Sequence, residues 1–227
     1  MPEQSVSPAR RKVRLPGLDP EVTPVIGLGL GLAGVLLGLR PRLAPWPLAV
    51  TAVAALLYRD PERTTPDLSY ALFAPADGTL VAIEEEYEHR FLHTDAVRLS
   101  IDVSPVDVPV QRSPLAGTVE YLEHVAGMYR PLWPLRPPEA EQSERQYIGI
   151  ASEWGPVLLA ITAGSLARRV KCHVALGDRL EAGERVATVR FGARVDLLLP
   201  RDIVEGLPPV GAQLAAGVSP LGRVVPL

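Results

Sequence analysis

The sequence predicts a mainly β protein, a barrel or sandwich, preceded by an N-terminal helical membrane hairpin. Three observations lead there. The 227 residues include 24 Pro and 19 Gly, a density that favours many short strands and turns over a helical bundle. Two charge-free apolar runs, residues 22–39 and 43–58, lie near the N-terminus. Short turn-and-strand blocks then recur: Pro75-Ala76-Asp77-Gly78-Thr79 returns as Pro114-Leu115-Ala116-Gly117-Thr118.

Composition narrows the partners and chemistry. A net charge of −3 and a pI near 5.9 give no global footprint for nucleic acid. The cations are almost all arginine, with only Lys12 and Lys171 as lysines. That bias suits planar, bidentate binding of phosphate or carboxylate, and a GC-rich genome produces it equally. Cys172 is alone, which excludes an intrachain disulfide, a Cys-rich zinc site and a CxxC redox pair. His89, His93, His124 and His173 lack HExxH-type spacing, so no metal is expected.

Residues 1–21 are polar and proline-punctuated, with Arg10, Arg11, Lys12 and Arg14 clustered, and read as a disordered basic arm. The apolar runs that follow are joined by Arg40-Pro41-Arg42. A full crossing needs about 20 apolar residues, with roughly 17 as the lower end. The pair therefore reads as a helical hairpin over residues 22–58 that dips into the bilayer or crosses it narrowly. Gly27, Gly29, Gly31, Gly34 and Gly38 would weaken a helix in water, whereas small residues are common where membrane helices pack closely. Leu-Gly-Leu-Arg-Pro-Arg offers no small-residue cleavage site, which argues against a removed signal peptide. The basic arm favours a cytoplasmic N-terminus, and arginine can snorkel, so a hairpin anchored on the cytoplasmic face of the cell membrane fits best.

The β domain is expected over residues 59–227. Asp77-Gly78 before alternating apolar residues is a turn feeding a strand, and Asp77 reads first as a turn aspartate bonding its own backbone. Leu99, Ile101 and Val103 alternate as a half-buried strand, and residues 157–161 form a buried one. The two Pro-x-x-Gly-Thr blocks suggest two similar β-units. Gly177 to Gly183 and Gly211 to Gly217 repeat a Gly-x(5)-Gly spacing, read as hairpin-like turns of the kind found in lipoyl and biotinyl half-barrels. Residues 126–146 read as a long proline-rich loop in which Tyr129 and Trp133 either form a membrane-facing lip or pack the loop onto the barrel. Ala163-Gly164-Ser165-Leu166-Ala167-Arg168-Arg169 places paired arginines beside a glycine, able to hold a phosphate bidentately or to stand solvated on the surface.

Taken in order, the blocks resemble the short phosphatidylserine decarboxylases of archaea and bacteria over about residues 58–200. Tyr58-Arg59-Asp60-Pro61-Glu62-Arg63 is similar to that family's aromatic-Arg-Asp-Pro-x-Arg signature. Phe73-Ala74-Pro75-Ala76-Asp77-Gly78 is similar to its Ser-Pro-Ala-Asp-Gly block. Ser104-Pro105-Val106-Asp107-Val108-Pro109-Val110-Gln111-Arg112 resembles its Ser-Pro-x-Asp-Val-His-Val-Asn-Arg pattern, and Gln142-Ser143-Glu144-Arg145 its Glu-Asn-Glu-Arg motif. Arg190-Phe191-Gly192-Ala193-Arg194-Val195-Asp196 resembles the self-processing site, where a serine follows the glycine.

The resemblance implies a role for each matching residue. In the family the serine hydroxyl attacks the preceding glycine carbonyl. The ester eliminates to dehydroalanine, which hydrolyses to a pyruvoyl cofactor on the new N-terminus, the electron sink for decarboxylation. Asp77 matches the family's acid–base aspartate, Pro109 falls at its histidine, and Gly192-Ala193 falls at its Gly-Ser junction. Arg112, Arg168 and Arg169 are candidates for holding phospholipid. Because Ala193 has no hydroxyl and Pro109 no imidazole, no cofactor is expected. The resulting expectation is a non-catalytic relative of phosphatidylethanolamine metabolism. It would bind membrane phospholipid, a second copy of itself or a paralogous decarboxylase. Two alternatives stand beside it. One is an active carboxy-lyase processed at an unorthodox site such as Gly164-Ser165, Gly78-Thr79 or Gly117-Thr118. The other is a structural β-module, and the covalent-carrier version fails because the 177–186 turn has Arg179 and Arg185 but no lysine.

Overall fold

A computed structural model describes residues 17–68, 70–127, 143–164 and 169–224. The chain divides into two compact units, Met1–Glu62 and Arg63–Leu227. The expected basic arm falls mostly on residues 1–16, outside the described residues.

In the first unit the Asp19 carboxylate caps a 3-10 turn, Pro20–Val22, by accepting the Glu21 N–H at 2.8 Å. Two α-helices follow, α1 (Thr23–Leu39) and α2 (Pro45–Leu57), each with proline in its first turn, where no intrahelical donor is lost. The 3-10 turn Pro41–Leu43 joins them. The helices pack where α1 has no side chain. A Cβ at Gly29 would overlap the Thr51 hydroxyl, which donates to the Pro47 carbonyl at 2.6 Å. Leu18 bridges Arg59 antiparallel, and Asp60 N–H donates to the Gly17 carbonyl at 2.8 Å, so the two ends of the hairpin emerge side by side. Its outer surface is apolar and bare, with Leu28 76% and Trp46 72% exposed. The stretch Pro20–Leu39 is long and apolar enough to cross a membrane, with a mean hydropathy of 2.1, whereas Pro41–Leu57 is shorter.

The second unit is built from fourteen described strands. The first seven are β1 (Ala71–Phe73), β2 (Gly78–Glu88), β3 (Thr94–Val103), β4 (Val110–Arg112), β5 (Gly117–Val125), β6 (Arg145–Ser152) and β7 (Gly155–Ala163). They continue as β8 (Lys171–Cys172), β9 (Arg179–Leu180), β10 (Arg185–Thr188), β11 (Ala193–Pro200), β12 (Val204–Glu205), β13 (Gln213–Leu214) and β14 (Pro220–Val224). Eight form one curled antiparallel sheet in the order β13-β2-β3-β11-β7-β6-β5-β9, and the orders β1-β14-β12 and β4-β10-β8 make two smaller sheets. The fold is the mainly β half-barrel with an N-terminal apolar helix pair that the sequence implied. Period-two alternation drives it: Leu99, Ile101, Leu159, Ile161, Val195 and Leu197 are fully buried on one face of the central strands.

The two expected β-units are present and repeat in detail. Leu214 of β13 lies opposite Gly78, as Leu180 of β9 lies opposite Gly117. Gly211 donates to the Leu80 carbonyl at 2.7 Å, and Gly177 donates to the Val119 carbonyl at 2.8 Å. Bulges fall at matching places, between Leu80 and Ala82 and between Val119 and Tyr121.

Two expectations need correction. The stretch 177–186 is not a hairpin, because β9 pairs with β5 in the large sheet and β10 with β4 and β8 in a small one. The loop expected over 126–146 ends earlier, since Arg145 and Gln146 already belong to β6; its residues 128–142, with Tyr129 and Trp133, lie outside the described residues.

Candidate functional site

The chain enters the junction from β10. Val189 N–H donates to the Pro109 carbonyl at 2.9 Å, and two residues in the left-handed region then reverse the path: Phe191 at φ 66° and Gly192 at φ 91°. Glycine accepts this conformation freely, while a side-chain residue such as Phe191 pays about 1–2 kcal/mol for it. Strain of this kind gathers at functional turns. Ala193 then begins β11, opposite Val103 on one side and Ala163 on the other, with 1% of its surface exposed.

The oxygen of the Gly192 carbonyl, whose carbon a nucleophile at 193 would attack, accepts a hydrogen bond from the Gly164 N–H at 3.1 Å. Gly164 can approach only because it lacks a side chain, since a Cβ there would lie 2.6 Å from that oxygen. A backbone donor on a reacting carbonyl stabilises developing negative charge. The bond extends the pairing of β7 with β11 and would polarise the Gly192 carbonyl. Position 193 itself carries a methyl group and no nucleophile.

Asp77 stands at the end of β2, one residue before Gly78. Thr79 is paired with Asp102 and Val103 with Ala193, so Asp77 and Ala193 lie at one end of the sheet, two strands apart. Neighbouring strands are about 4.8 Å apart, which separates them by roughly 10 Å. Its carboxylate is taken up by Arg63, with Nη1 at 2.5 Å from Oδ1 and Nη2 at 2.7 Å from Oδ2, and by the Ala216 N–H at 2.8 Å. Arg63 also donates to the Ala216 carbonyl at 2.9 Å. Asp77 therefore ties the segment before β1 to the turn after β13.

Pro109 is buried, and its carbonyl is engaged by Val189. Gln111, two residues on in β4, is fully buried, and among the described residues neither end of its amide is hydrogen-bonded. Arg112 is 4% exposed; its Nη1 donates to the Gly183 carbonyl at 2.8 Å, and its N–H donates to the Pro75 carbonyl at 2.7 Å. It braces the two Gly-x(5)-Gly turns, since a Cβ on Gly217 would meet the Arg112 side chain at 2.9 Å. Arg169 is exposed, whereas Ser165 and Arg168 lie outside the described residues. Burial raises the Asp102 carboxyl above its ordinary range, against the pull of Arg194. Among the described residues no cluster of His, Cys, Asp or Glu could hold a metal ion.

Two contributors escaped the sequence reading. Arg63 is the last residue of the Tyr58–Arg63 block, and no spacing rule joins it to Asp77 fourteen residues on. Gly164 was legible as part of an arginine block and of the Gly164-Ser165 step, but its place beside Gly192 depends on the pairing of β7 with β11.

A duplicated half-barrel with a left-handed glycine turn opening its central strand defines the class of scaffold. Comparison with known proteins supplies the family. The sequence profile described as phosphatidylserine decarboxylase matches residues 50–221. A phosphatidylserine decarboxylase proenzyme of Salinibacter ruber is 41% identical over 182 residues, 78% of this chain and 79% of the relative. Proenzymes of the same description from Symbiobacterium thermophilum and Streptomyces griseus are 35% and 34% identical, covering 93% and 98% of this chain and 98% and 100% of theirs. The chain belongs to the phosphatidylserine decarboxylase family.

Proposed function

We propose that this protein is a membrane-anchored pseudoenzyme of the phosphatidylserine decarboxylase family, which keeps the scaffold and does not form a pyruvoyl group. The single observation that carries the reading is Ala193, buried at the first position of β11 behind a carbonyl that is still held by Gly164. A pyruvoyl group requires an oxygen on the side chain of residue 193 to form the ester, and the methyl group has none. Pro109 supports the same reading. A general base near neutral pH needs a lone pair, and the proline ring offers no lone pair or exchangeable proton.

The bare apolar surface of α1 and α2 supports membrane anchoring, because water would leave Leu28, Leu37, Val50 and Trp46 exposed at a hydrophobic cost. We place the β domain on the cytoplasmic face, following the basic residues of 1–16. Membrane phospholipid is the proposed partner, with Arg168 and Arg169 as its phosphate ligands. A second copy of the chain or a paralogous decarboxylase would be the protein partner.

Intact-mass measurement tests the central claim: the purified full chain should be one uncleaved polypeptide, and a break before residue 193 or 165 would overturn it. Carbon dioxide release from carboxyl-labelled phosphatidylserine should not exceed a blank without protein.

A further inference from the structure

Alternation along β11 sends Arg194 and Asp196 to the face opposite the buried one that holds Ala193. On that outer face lies a trough of 820 Å³, floored by Leu158, Ala160 and Leu198. Strand pairing sets Arg194 opposite Thr162 and Thr162 opposite Arg145, one row across β11, β7 and β6. With strands about 4.8 Å apart, the two arginines stand roughly 10 Å apart at the backbone, with a hydroxyl between them.

The other charges lining this trough have partners. Arg98 sits between Glu84 and Glu86. Arg194 Nε meets Asp196 at 3.0 Å, and Nη2 donates to Ser100 Oγ at 2.8 Å. Glu88 accepts the N–H groups of Arg90, Phe91 and Leu92, and Arg90 pairs with Glu123 at 2.6 Å. Arg145 differs. Among the described residues no carboxylate pairs with it and its one hydrogen bond is a long one to the Tyr147 hydroxyl at 3.4 Å, while its Nε, like that of Arg98, is shielded from solvent with no acceptor. A guanidinium has five donors, and a shielded donor without a partner is costly.

We propose that Arg145, Thr162 and Arg194 form an oxyanion site that takes a phosphate group on the outer face of the sheet. The Arg145 fork, the Arg194 Nη1 group left over from Asp196 and Ser100, and a hydroxyl between them suit the several oxygens of a tetrahedral phosphate better than the two of a carboxylate. The phosphate comes from a soluble phosphate ester or from an anionic lipid headgroup, and the same donors serve both. Arg194 follows Ala193 directly but faces the other side of the sheet, and the site draws on neither Arg168 nor Arg169, so its failure would leave the proposed loss of processing untouched.

The test uses the full chain in detergent, titrated with inorganic phosphate, glycerol 3-phosphate and dihexanoyl phosphatidic acid, with binding read by calorimetry. Saturable binding is expected for each, and Arg145→Gln should weaken it about tenfold or more. Arg179→Gln, an exposed change on edge strand β9, should leave it unchanged. Comparable affinities for the three probes would mark a soluble ester as the source, while tighter binding of the lipid would mark a headgroup. Should Arg145→Gln fail to fold, Arg145→Lys keeps the charge but loses the fork and should still weaken binding several-fold. No saturation, or equal loss in the Arg179 and Arg145 variants, would overturn the site.

Discussion

A serine at 193 would enter a buried row between Val103 and Ala163, one bond away from a carbonyl that Gly164 already holds. Restoring it therefore tests how much of the machinery survives. We expect the double variant Ala193→Ser with Pro109→His to yield two chains by intact mass. Ala193→Ser alone should cleave slower by on the order of 100-fold, the lower range for a positioned general base. At Asp77 the effect is on stability. Arg63→Gln removes a bidentate partner from a carboxylate whose side chain is 13% exposed, and should cost about 2–3 kcal/mol by denaturant unfolding. Glu88 gives a pH signature. Burial opposes its charge, but the N–H groups of Phe91, Leu92 and Arg90 outweigh burial and hold its pKa below the ordinary 4.5. A depressed folded pKa contributes stability above the unfolded value and loses it as pH falls through the folded one. Glu88→Gln should accordingly melt lower at pH 7, with the gap to the parent closing on acidification below about 4.5.

Elements differ in how plainly the sequence announces them. Leu99, Ile101 and Val103 declare β3 because a one-sided strand must alternate, and the matching Gly-Thr starts of β2 and β5 declare the duplication. Two-residue strands such as β9 and β13 carry no periodicity. Their partners follow from turns that close over distant chain, which is why 177–186 looks like a hairpin and is not one. The site is legible at Gly192, where a glycine-led turn precedes an apolar strand. It is illegible at Arg63, Gly164 and Arg145, whose meaning lies in cross-strand neighbours. Gly164→Ala places a methyl group against a backbone oxygen and should lower stability by about 1–3 kcal/mol in an unfolding titration. In the first unit, the 20-residue apolar stretch Pro20–Leu39 reaches about 30 Å, the thickness of a hydrocarbon core, whereas α2 at 13 residues spans about 20 Å.

At the scale of the whole molecule, the full chain should float with liposomes through a density gradient, whereas a chain beginning at Arg63 should stay with the soluble fraction. The central strand has a further consequence. β11 is hydrogen-bonded to β3 on one side and β7 on the other, and the residues after it supply β13 to the edge of β2 and β14 to the middle of a second sheet. A chain divided between Gly192 and Ala193 would have its shorter piece woven through both sheets. The fold is in this sense a natural split protein. Residues 1–192 and 193–227, co-expressed as separate chains, should assemble and purify together until denatured, because cutting that one peptide bond removes none of the ladders that hold the pieces to each other.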